Sequence, residues 1–501
     1  MAEQVRRLTV GDLVAALAPA AQVSAEVGSA EVRSAVVHSA EVRSAVVDSR
    51  LATPGCLFVA LRGERVDGHD FIAQAIDRGA VAIIAETPPP PDVCATLSLA
   101  GRRPDLGAVA PDAPLCLVVP DSLAALQQAA AYWRRQHQVR VVGITGSVGK
   151  TTSKEIVAAV LGQRYRTLKS EGNYNNEIGL PLTLLHLTSR HERVVLEMGM
   201  YDVGEITQLA AIARPQVGVV TNVGPSHLER LGTIERIAQA KAELPQALPP
   251  ADQGGVAILN ADDERVRAMS AQTQARVFTF GLHANADRWA SDVDSEGLEG
   301  IHFWLHFGRE AINVQVPMLG RHSVQTALVG AAAGLVEGLD WGEIVAGLRD
   351  QSAQLRLVAV PGPRGSMILD DTYNASPASC IAALNLLDEL GARREPARKI
   401  AVLGDMYELG AFEKEGHRMV GRRARDVADV LVTVGPLARI MGQEALAAGM
   451  DPDSVFLAET KEEVIDFLRN TVQVGDLILV KGSRGMYMED VVAALQEEEM
   501  A

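Results

Sequence analysis

A glycine-spaced loop between a β-branched run and a helix start constrains this chain most strongly. The segment reads Val139-Arg-Val-Val-Gly-Ile-Thr-Gly-Ser-Val-Gly-Lys-Thr-Thr152. Glycines at this spacing let backbone N–H groups turn toward phosphate oxygens, the lysine adds a cation, and the next hydroxyl can reach Mg²⁺. The segment therefore predicts a loop that holds a nucleoside triphosphate and leads into a helix beginning at Thr152. The residues predicted to hold it are Thr145, Gly146, Ser147, Val148, Gly149, Lys150, Thr151 and Thr152.

The loop departs from the full Walker pattern in one place. That pattern has glycine five residues before Gly149, where this chain has Ile144. The shorter Gly-x-x-Gly-Lys-Thr form leaves an ordinary strand-to-helix turn open as an alternative.

Composition limits the broad class of protein. With 501 residues, 48% of them hydrophobic, the chain can bury substantial cores, and its length predicts about three domains. It has no run of 18 apolar residues and no apolar signal core in Met1–Arg7, which predicts a cytoplasmic protein without membrane insertion. The net charge of −16 argues against nucleic-acid binding. Four dispersed cysteines favour buried thiols over disulfides or zinc.

Three blocks follow one another along the chain. Residues 1–135 include a near-duplication, Ser29–Val37 and then Ser39–Val47, which we interpret as an added strand pair or an insertion near a sheet edge. Residues 136–353 alternate strand and helix patterns, as a mostly parallel sheet with helices on both faces requires. Residues 354–501 repeat that alternation without a phosphate loop, which predicts a second, Rossmann-like doubly wound domain.

Polar residues lie at the ends of predicted strands in the central block. Glu197 ends one strand, and Asn222 and Asn260 follow two others. Ligands of open parallel sheets bind beyond the carboxyl ends of the strands, so these side chains are expected to converge on Lys150. Taken singly, Glu197 could equally be a solvated loop carboxylate and His227 a structural histidine.

Several separate segments resemble one family, the Mur ligases of peptidoglycan synthesis. The resemblance runs from Asp48-Ser-Arg50 to Lys481–Met486. Its most specific pieces are Gly172–Pro181, Thr221–Glu229, Ala240–Glu243, Asp370–Pro377 and Val402–Gly410. The last two resemble the family member that adds D-alanyl-D-alanine. The Asp-Asn-Pro-Arg motif of the diaminopimelate- or lysine-adding relative is absent.

The resemblance implies a fold and a reaction. The fold would be α/β with an N-terminal UDP-substrate-binding domain, a central P-loop ATPase-like domain with a mostly parallel sheet, and a C-terminal Rossmann-like domain. The reaction would join D-alanyl-D-alanine to UDP-N-acetylmuramoyl-tripeptide for cell-wall synthesis, and so for cell shape and division, in a monomer. A substrate carboxylate attacks the γ-phosphate of ATP, and an amine then attacks the acyl phosphate. Charge must be neutralised at each stage.

The resemblance also implies catalytic roles. Lys150 and Thr151 would hold the β- and γ-phosphates with one Mg²⁺, the ion that oxygen ligands favour. Glu197 and His227 match the family's metal ligands. Lys241 matches the lysine that the family carboxylates with CO₂, which would convert a repelling ammonium into an anionic carbamate ligand.

Binding roles follow from the same resemblance. Ser49 and Arg50 match contacts to the UDP portion, for which the arginine fork is well suited. Asn173 and Asn176 lie in the stretch that faces the muramoyl-peptide substrate.

The nucleotide contacts would come from two domains. Asn260 and His322 match positions near the adenine, whereas Arg356 and Asp371 would reach the phosphates and the ribose from the third domain. Closure of that domain would complete the site.

The chain departs from the family pattern at three nucleotide positions. Val148 stands where asparagine is usual, and Ser323 and Thr326 replace two asparagines at a helix start. Because the loop backbone and Lys150 are retained, we expect altered nucleotide contacts rather than lost catalysis.

Other hypotheses stay open at this point. A sibling ligase, such as a folylpolyglutamate synthase-like enzyme, would lack the Asp48–Arg50 block and the Gly404–Gly410 segment, and both are present. A non-catalytic nucleotide-binding scaffold would not need Glu197, His227 and Lys241 together. Lys241 could also lie on the charged face of an amphipathic helix, and we expect His417 to lie on a solvated helix face.

Overall fold

The computed structural model describes residues 5–17, 40–63, 65–99, 114–350, 357–393 and 398–497. The first copy of the near-duplication lies outside the described residues, and the second copy contains the first strand, Ser44–Val46. The chain forms two compact units. The first is drawn from residues 1–143, 165–199 and 205–217, and the second from residues 144–164, 200–204 and 218–501.

Twenty strands are present among the described residues. They are β1 Ser44–Val46, β2 Cys56–Val59, β3 Ala82–Ala85, β4 Ala95–Ser98, β5 Leu115–Val118, β6 Arg140–Thr145, β7 Thr167–Lys169, β8 Arg193–Glu197, β9 Val217–Val220, β10 Val256–Asn260, β11 Arg276–Gly281, β12 Arg288–Ser295, β13 Ile301–Phe307, β14 Glu310–Val316, β15 Val358–Pro361, β16 Met367–Asp371, β17 Lys399–Gly404, β18 Val430–Val434, β19 Val455–Ala458 and β20 Leu477–Lys481.

The α-helices of the described residues alternate with these strands. They are α1 Val10–Leu17, α2 Ile72–Asp77, α3 Ser122–Arg135, α4 Lys150–Gly162, α5 Gly179–Leu185, α6 Glu205–Ala213, α7 Leu228–Leu231, α8 Ile234–Gln246, α9 Glu264–Ala268, α10 Val324–Val336, α11 Trp341–Leu348, α12 Pro377–Ala392, α13 Glu413–Val427, α14 Arg439–Ala447, α15 Lys461–Thr471 and α16 Glu489–Glu497. None of the helices in the described ranges is long and apolar enough to cross a membrane.

The strands form three mostly parallel sheets, which confirms the predicted α/β class. A five-stranded sheet has the order β1-β2-β3-β5-β4, and all its pairs are parallel. A nine-stranded sheet has the order β14-β13-β12-β11-β10-β9-β6-β8-β7, with antiparallel pairing between β12, β13 and β14. A six-stranded sheet has the order β15-β16-β20-β17-β18-β19, and its one antiparallel pair is β15 with β16.

The six-stranded sheet is covered on both faces, as predicted for the third block. Alternate strand residues point to opposite sides, so Leu403 faces one core while Val402 faces the other. The first core contains buried side chains of α12, α13 and α14, and the second contains those of α15 and α16. This arrangement is the doubly wound architecture expected there.

Two local predictions need correction. The helix after the phosphate loop begins at Lys150, before the predicted Thr152, because Gly149 takes the left-handed conformation that starts the helix. His417 is fully buried instead of solvated, since it shares the core-facing side of α13 with Val420 and Ala424. Its Nε2 accepts a hydrogen bond from the Met406 N–H at 3.1 Å.

Glycines allow three helices of the second unit to pack at backbone distance. A Cβ added at Gly347 of α11 would lie 2.4 Å from Cα of Val160 in α4. A Cβ added at Gly330 of α10 would lie 2.5 Å from Cγ2 of Ile156. The helix that begins at the phosphate loop is therefore held by close helix contacts that larger residues would disrupt.

Gly347→Ala should lower the free energy of unfolding by about 2 kcal/mol or more, because the added methyl group must displace helix backbone. The matched control is Gly162→Ala on α4, since a Cβ there meets nothing within 4 Å. The control should change stability by less than about 1 kcal/mol, in the stabilising direction. Urea unfolding of both variants tests this expectation, and equal losses of stability would contradict it.

Candidate active site

Two glycines give the phosphate loop its backbone shape. Gly149 has φ +83° and Gly146 has φ +152°, values at which a side chain is strained. A Cβ on Gly146 would also lie 1.9 Å from Thr221 Oγ1. The loop can follow its path against Thr221 only with glycine at position 146.

The segment after β9 holds the loop through its backbone. Asn222 Oδ1 accepts a hydrogen bond from the Val148 N–H, and Asn222 Nδ2 donates to the Val148 carbonyl, both at 2.9 Å. Thr221 Oγ1 donates to that same carbonyl at 2.8 Å. We call these contacts the loop clamp. Because the clamp engages only the main chain of residue 148, valine can replace asparagine there without loss of these contacts.

Ser147 extends the loop clamp. Its N–H donates to the Asn222 carbonyl at 3.0 Å, and its hydroxyl donates to the Gly224 carbonyl at 2.9 Å. The Ser147 hydroxyl also accepts a hydrogen bond from the Gly224 N–H at 2.9 Å. The loop is therefore fixed on the strand-end segment at two consecutive residues.

Lys150 and Thr151 occupy the first turn of α4. Lys150 Nζ donates to the Gly146 carbonyl at 2.8 Å and reaches the Ser147 carbonyl at 3.4 Å. Its cation is thus curled over the loop, and Thr151 is buried beside it. Positive charge at a helix N-terminus lined by loop amides is an arrangement that binds phosphate.

Lys241 is buried, which contradicts the alternative that placed it on a charged helix face. Its side chain lies in α8 and the residue is 2% exposed. Within the described ranges its amine makes no hydrogen bond and no ion pair. Burial, and then the nearby charge of Lys150, hold the pKa of Lys241 well below its ordinary value. Burial therefore disfavours the charged form of the Lys241 amine.

His227 contacts a carboxylate that was not predicted from the sequence. His227 Nδ1 lies 2.6 Å from Glu408 Oε2, in an approach that departs from hydrogen-bond alignment. The adjacent imidazole is the main cause that lowers the pKa of Glu408. Glu408 lies within the Val402–Gly410 motif that supported the resemblance, but nothing in the motif indicated its partner.

Two of the predicted nucleotide residues form hydrogen bonds with other residues of the protein. Asn260 Nδ2 donates to the Thr221 carbonyl at 2.8 Å, so Asn260 supports the segment that carries the loop clamp. Asp371 Oδ2 accepts a hydrogen bond from Lys481 Nζ at 2.6 Å. His322 lies near this pair, and burial lowers its pKa. Arg356 lies outside the described residues.

Glu197 lies in the first unit, at the end of β8. It is 1% exposed and its Oε1 accepts a hydrogen bond from Asn175 Nδ2 at 2.8 Å. Asn175 was not predicted, although it lies between the predicted Asn173 and Asn176. Asn176 Oδ1 accepts a hydrogen bond at 2.9 Å from the N–H of Gly179, the first residue of α5, whereas Asn173 is exposed.

Ser49 and Arg50 form a short turn in the first unit. Ser49 Oγ donates to Gln74 Oε1 at 2.6 Å, which leaves Ser49 buried. Arg50 pairs with Asp48 at 2.7 Å, and its side chain is 80% exposed. Of these two predicted residues, only Arg50 presents its side chain to solvent.

The phosphate loop follows a strand of a mostly parallel sheet, the loop clamp holds it, and Lys150 lies over it. These features define an α/β nucleotide-binding protein of the P-loop type. Residues 41–134 match the description "Mur ligase family, catalytic domain", residues 144–334 match "Mur ligase middle domain", and residues 355–484 match "Mur ligase, glutamate ligase domain". The chain belongs to the Mur ligase family.

Several relatives are similar to this chain over most of its length. The UDP-N-acetylmuramoyl-tripeptide–D-alanyl-D-alanine ligase of Bacillus subtilis is 37% identical over 91% of this chain and 93% of its own length. The crystal structure of MurF from Acinetobacter baumannii has a TM-score of 0.78 and 30% identity, covering 98% of this chain and 99% of that one. MurF of Thermotoga maritima in complex with ADP has a TM-score of 0.71 and 30% identity, covering 92% of this chain and 99% of that one.

Asn222→Ala should weaken binding of a non-hydrolysable ATP analogue about tenfold, because two loop hydrogen bonds of about 1 kcal/mol each are lost. Ser226→Ala is the matched control, since among the described residues the Ser226 hydroxyl hydrogen-bonds only to the Ser147 hydroxyl, at 3.0 Å. The control should stay within about twofold of the wild type. Calorimetric titration measures both affinities, and an unchanged affinity in Asn222→Ala would contradict the role given to the clamp.

Proposed function

We propose that this protein is a cytoplasmic, monomeric, ATP-dependent ligase that joins D-alanyl-D-alanine to UDP-N-acetylmuramoyl-tripeptide. The observation that carries the proposal is the clamped phosphate loop, with Lys150 curled over it and the amine of Lys241 buried nearby. The name of the Bacillus subtilis relative, which is similar over 91% of this chain, supports the choice of substrates. The predicted domains, 1–135, 136–353 and 354–501, are part of the proposal.

The first step is formation of an acyl phosphate. The carboxylate of the tripeptide attacks the γ-phosphorus of ATP, and ADP leaves. Loop N–H groups and Lys150 stabilise the charge that spreads over the phosphate oxygens. The tight clamp means that these donors are already in place, so little reorganisation is needed when the charge develops.

The second step is attack of the dipeptide amine on the acyl carbon. The tetrahedral intermediate collapses to an amide and releases phosphate, still held by the loop amides and Lys150. A negatively charged leaving group is favoured beside a helix N-terminus. ATP and UDP-N-acetylmuramoyl-tripeptide are both anionic. They can bind to a chain with a net charge of −16 because the site supplies local cations.

A divalent cation fits the donors that the chain offers. The hydroxyl of Thr151 and the carboxylate of Glu197 are oxygen donors that suit Mg²⁺, and His227 would add an imidazole nitrogen. Within the described part of the chain, no three His, Cys, Asp or Glu side chains are already grouped for a metal. We infer that Lys241 supplies a further anionic oxygen as a carbamate. The bound ion would neutralise phosphate charge.

Substrate recognition is proposed for the remaining residues. Arg50 has the exposed guanidinium needed for the diphosphate of the UDP group, and buried Ser49 would position its turn. Asn173 and Asn176 would contact the muramoyl peptide. Asn260, His322, Arg356 and Asp371 would serve the nucleotide.

The test is a phosphate-release assay with ATP, Mg²⁺ and UDP-N-acetylmuramoyl-tripeptide, with and without D-alanyl-D-alanine. Release should require both substrates, saturate with ATP despite Val148, Ser323 and Thr326, and yield the mass of the UDP-pentapeptide. A folate substrate with glutamate serves as the control for the sibling ligase. Turnover of that pair, or no turnover at any ATP concentration, would contradict the proposal.

Lys241→Met should lower turnover by at least about a hundredfold, because it removes the nitrogen that would react with CO₂ and so a metal-orienting anion. Lys169→Met, which changes a lysine at the end of β7, is the charge-matched control and should retain turnover. The wild type should also lose activity in CO₂-depleted buffer and recover it with bicarbonate. Indifference of the wild type to bicarbonate, together with an active Lys241→Met, would rule out the carbamate.

A further inference from the structure

The loop that follows β17 meets the segment that carries His227. Glu408 Oε2 lies 2.6 Å from His227 Nδ1, and the Glu229 N–H lies 3.5 Å from the Glu408 carbonyl oxygen. A Cβ added at Gly410 would lie 2.8 Å from Glu229 Cα. The two segments therefore meet at backbone distance, and only glycine fits at position 410.

Both residues of the central contact have an unfavourable backbone conformation. His227 has φ +55° and Glu408 has φ +63°. Residues other than glycine keep such values only where the surroundings enforce them, and these positions cluster at ligand sites. The strain on the two sides of one contact indicates that its geometry serves a purpose beyond connecting two elements.

The imidazole of His227 is supported on its other sides too. Tyr201 contacts it edge to face, with ring centroids 5.2 Å apart, and Arg230 lies over the Tyr201 ring at 5.1 Å. Nδ1 faces the Glu408 carboxylate. Nε2 makes no hydrogen bond to any residue in the described ranges, and the side chain is 23% exposed. The ring is thus fixed while one nitrogen is left for a ligand.

We propose that Glu408 is a positioning residue that orients His227, so that Nε2 is left for the divalent cation bound with ATP. Metal-binding histidines commonly have their second ring nitrogen engaged by a carboxylate, which fixes the ring and makes it a better ligand. The cation site is then complete only while the loop after β17 is docked on His227. This inference rests on the proposed function for the choice of nucleotide and cation.

The contact also explains how the third block takes part in catalysis. The loop with Glu408 is tied to the loop after β20, because the Tyr407 N–H donates to Ser483 Oγ at 2.9 Å and the Ser483 N–H donates to the Asp405 carbonyl at 3.0 Å. Docking of Glu408 on His227 therefore positions the loops after β17 and β20 of the six-stranded sheet together. Nucleotide-linked cation binding and docking of the third block favour each other.

The test measures Mn²⁺ binding to the full chain by electron paramagnetic resonance, with a non-hydrolysable ATP analogue present. Glu408→Gln and Glu408→Gly should each weaken Mn²⁺ binding about tenfold. Glycine accepts a φ of +63° without strain, so Glu408→Gly separates loss of the carboxylate from misfolding. The matched control is Glu415→Gln, because Glu415 is 49% exposed and pairs with Arg422 at 2.6 Å, much as the 47% exposed Glu408 pairs with His227.

The control should bind Mn²⁺ as the wild type does. His227→Asn should also weaken binding, and adding Glu408→Gln to it should cause no further loss, because Glu408 acts through His227. Wild-type binding by both Glu408 variants, or multiplied losses in the double variant, would overturn the proposal. The measurement needs no turnover. A wild type that binds Mn²⁺ but makes no UDP-pentapeptide would therefore contradict the proposed function and leave the role of Glu408 standing.

Discussion

The hydrogen bonds between Asn222 and the main chain of Val148 are the constraint on which the site depends. They tie the phosphate loop, at the end of β6, to the segment after β9. Glycine is also required at position 146, since any side chain there would collide with the neighbouring Thr221. Asn260 holds that segment from the end of β10. The backbone of the loop is therefore fixed from neighbouring strand ends, which is the preorganisation that phosphoryl transfer would need in the proposed reaction.

Charge explains the second part of the site. The chain is acidic overall, yet Lys150 and Lys241 lie close enough for the charge of one to depress the pKa of the other. A charged Lys241 beside Lys150 would suit triphosphate but would repel a metal ion. Conversion of Lys241 to a carbamate would resolve this conflict, because it changes a buried amine into an anionic oxygen ligand. The proposed modification thus follows from burial as well as from the family resemblance.

Much of the fold and part of the site could be predicted from the sequence. The strand predicted to end at Glu197 is present as β8, because a buried apolar run ended by a polar residue is a strong local signal. Burial of His417 was missed because an Arg-rich helix looks solvated until its core-facing side is known. Glu408 and Asn175 were missed for another reason. Their partners, His227 and Glu197, are distant in sequence, and no local pattern shows which residue a carboxylate or amide will meet.

The most direct test of acyl-phosphate formation follows oxygen atoms through the reaction. UDP-N-acetylmuramoyl-tripeptide with both oxygens of its reacting carboxylate labelled with ¹⁸O is turned over with ATP and D-alanyl-D-alanine, and the released phosphate is analysed by mass. An acyl-phosphate intermediate predicts one ¹⁸O in each released phosphate and one in the new amide. The carboxylate oxygen that attacks phosphorus stays bound to it and leaves in the phosphate. Unlabelled phosphate, beside a new amide that carries one ¹⁸O, would contradict acyl-phosphate formation at this loop, because the other labelled oxygen would then have left in a different molecule.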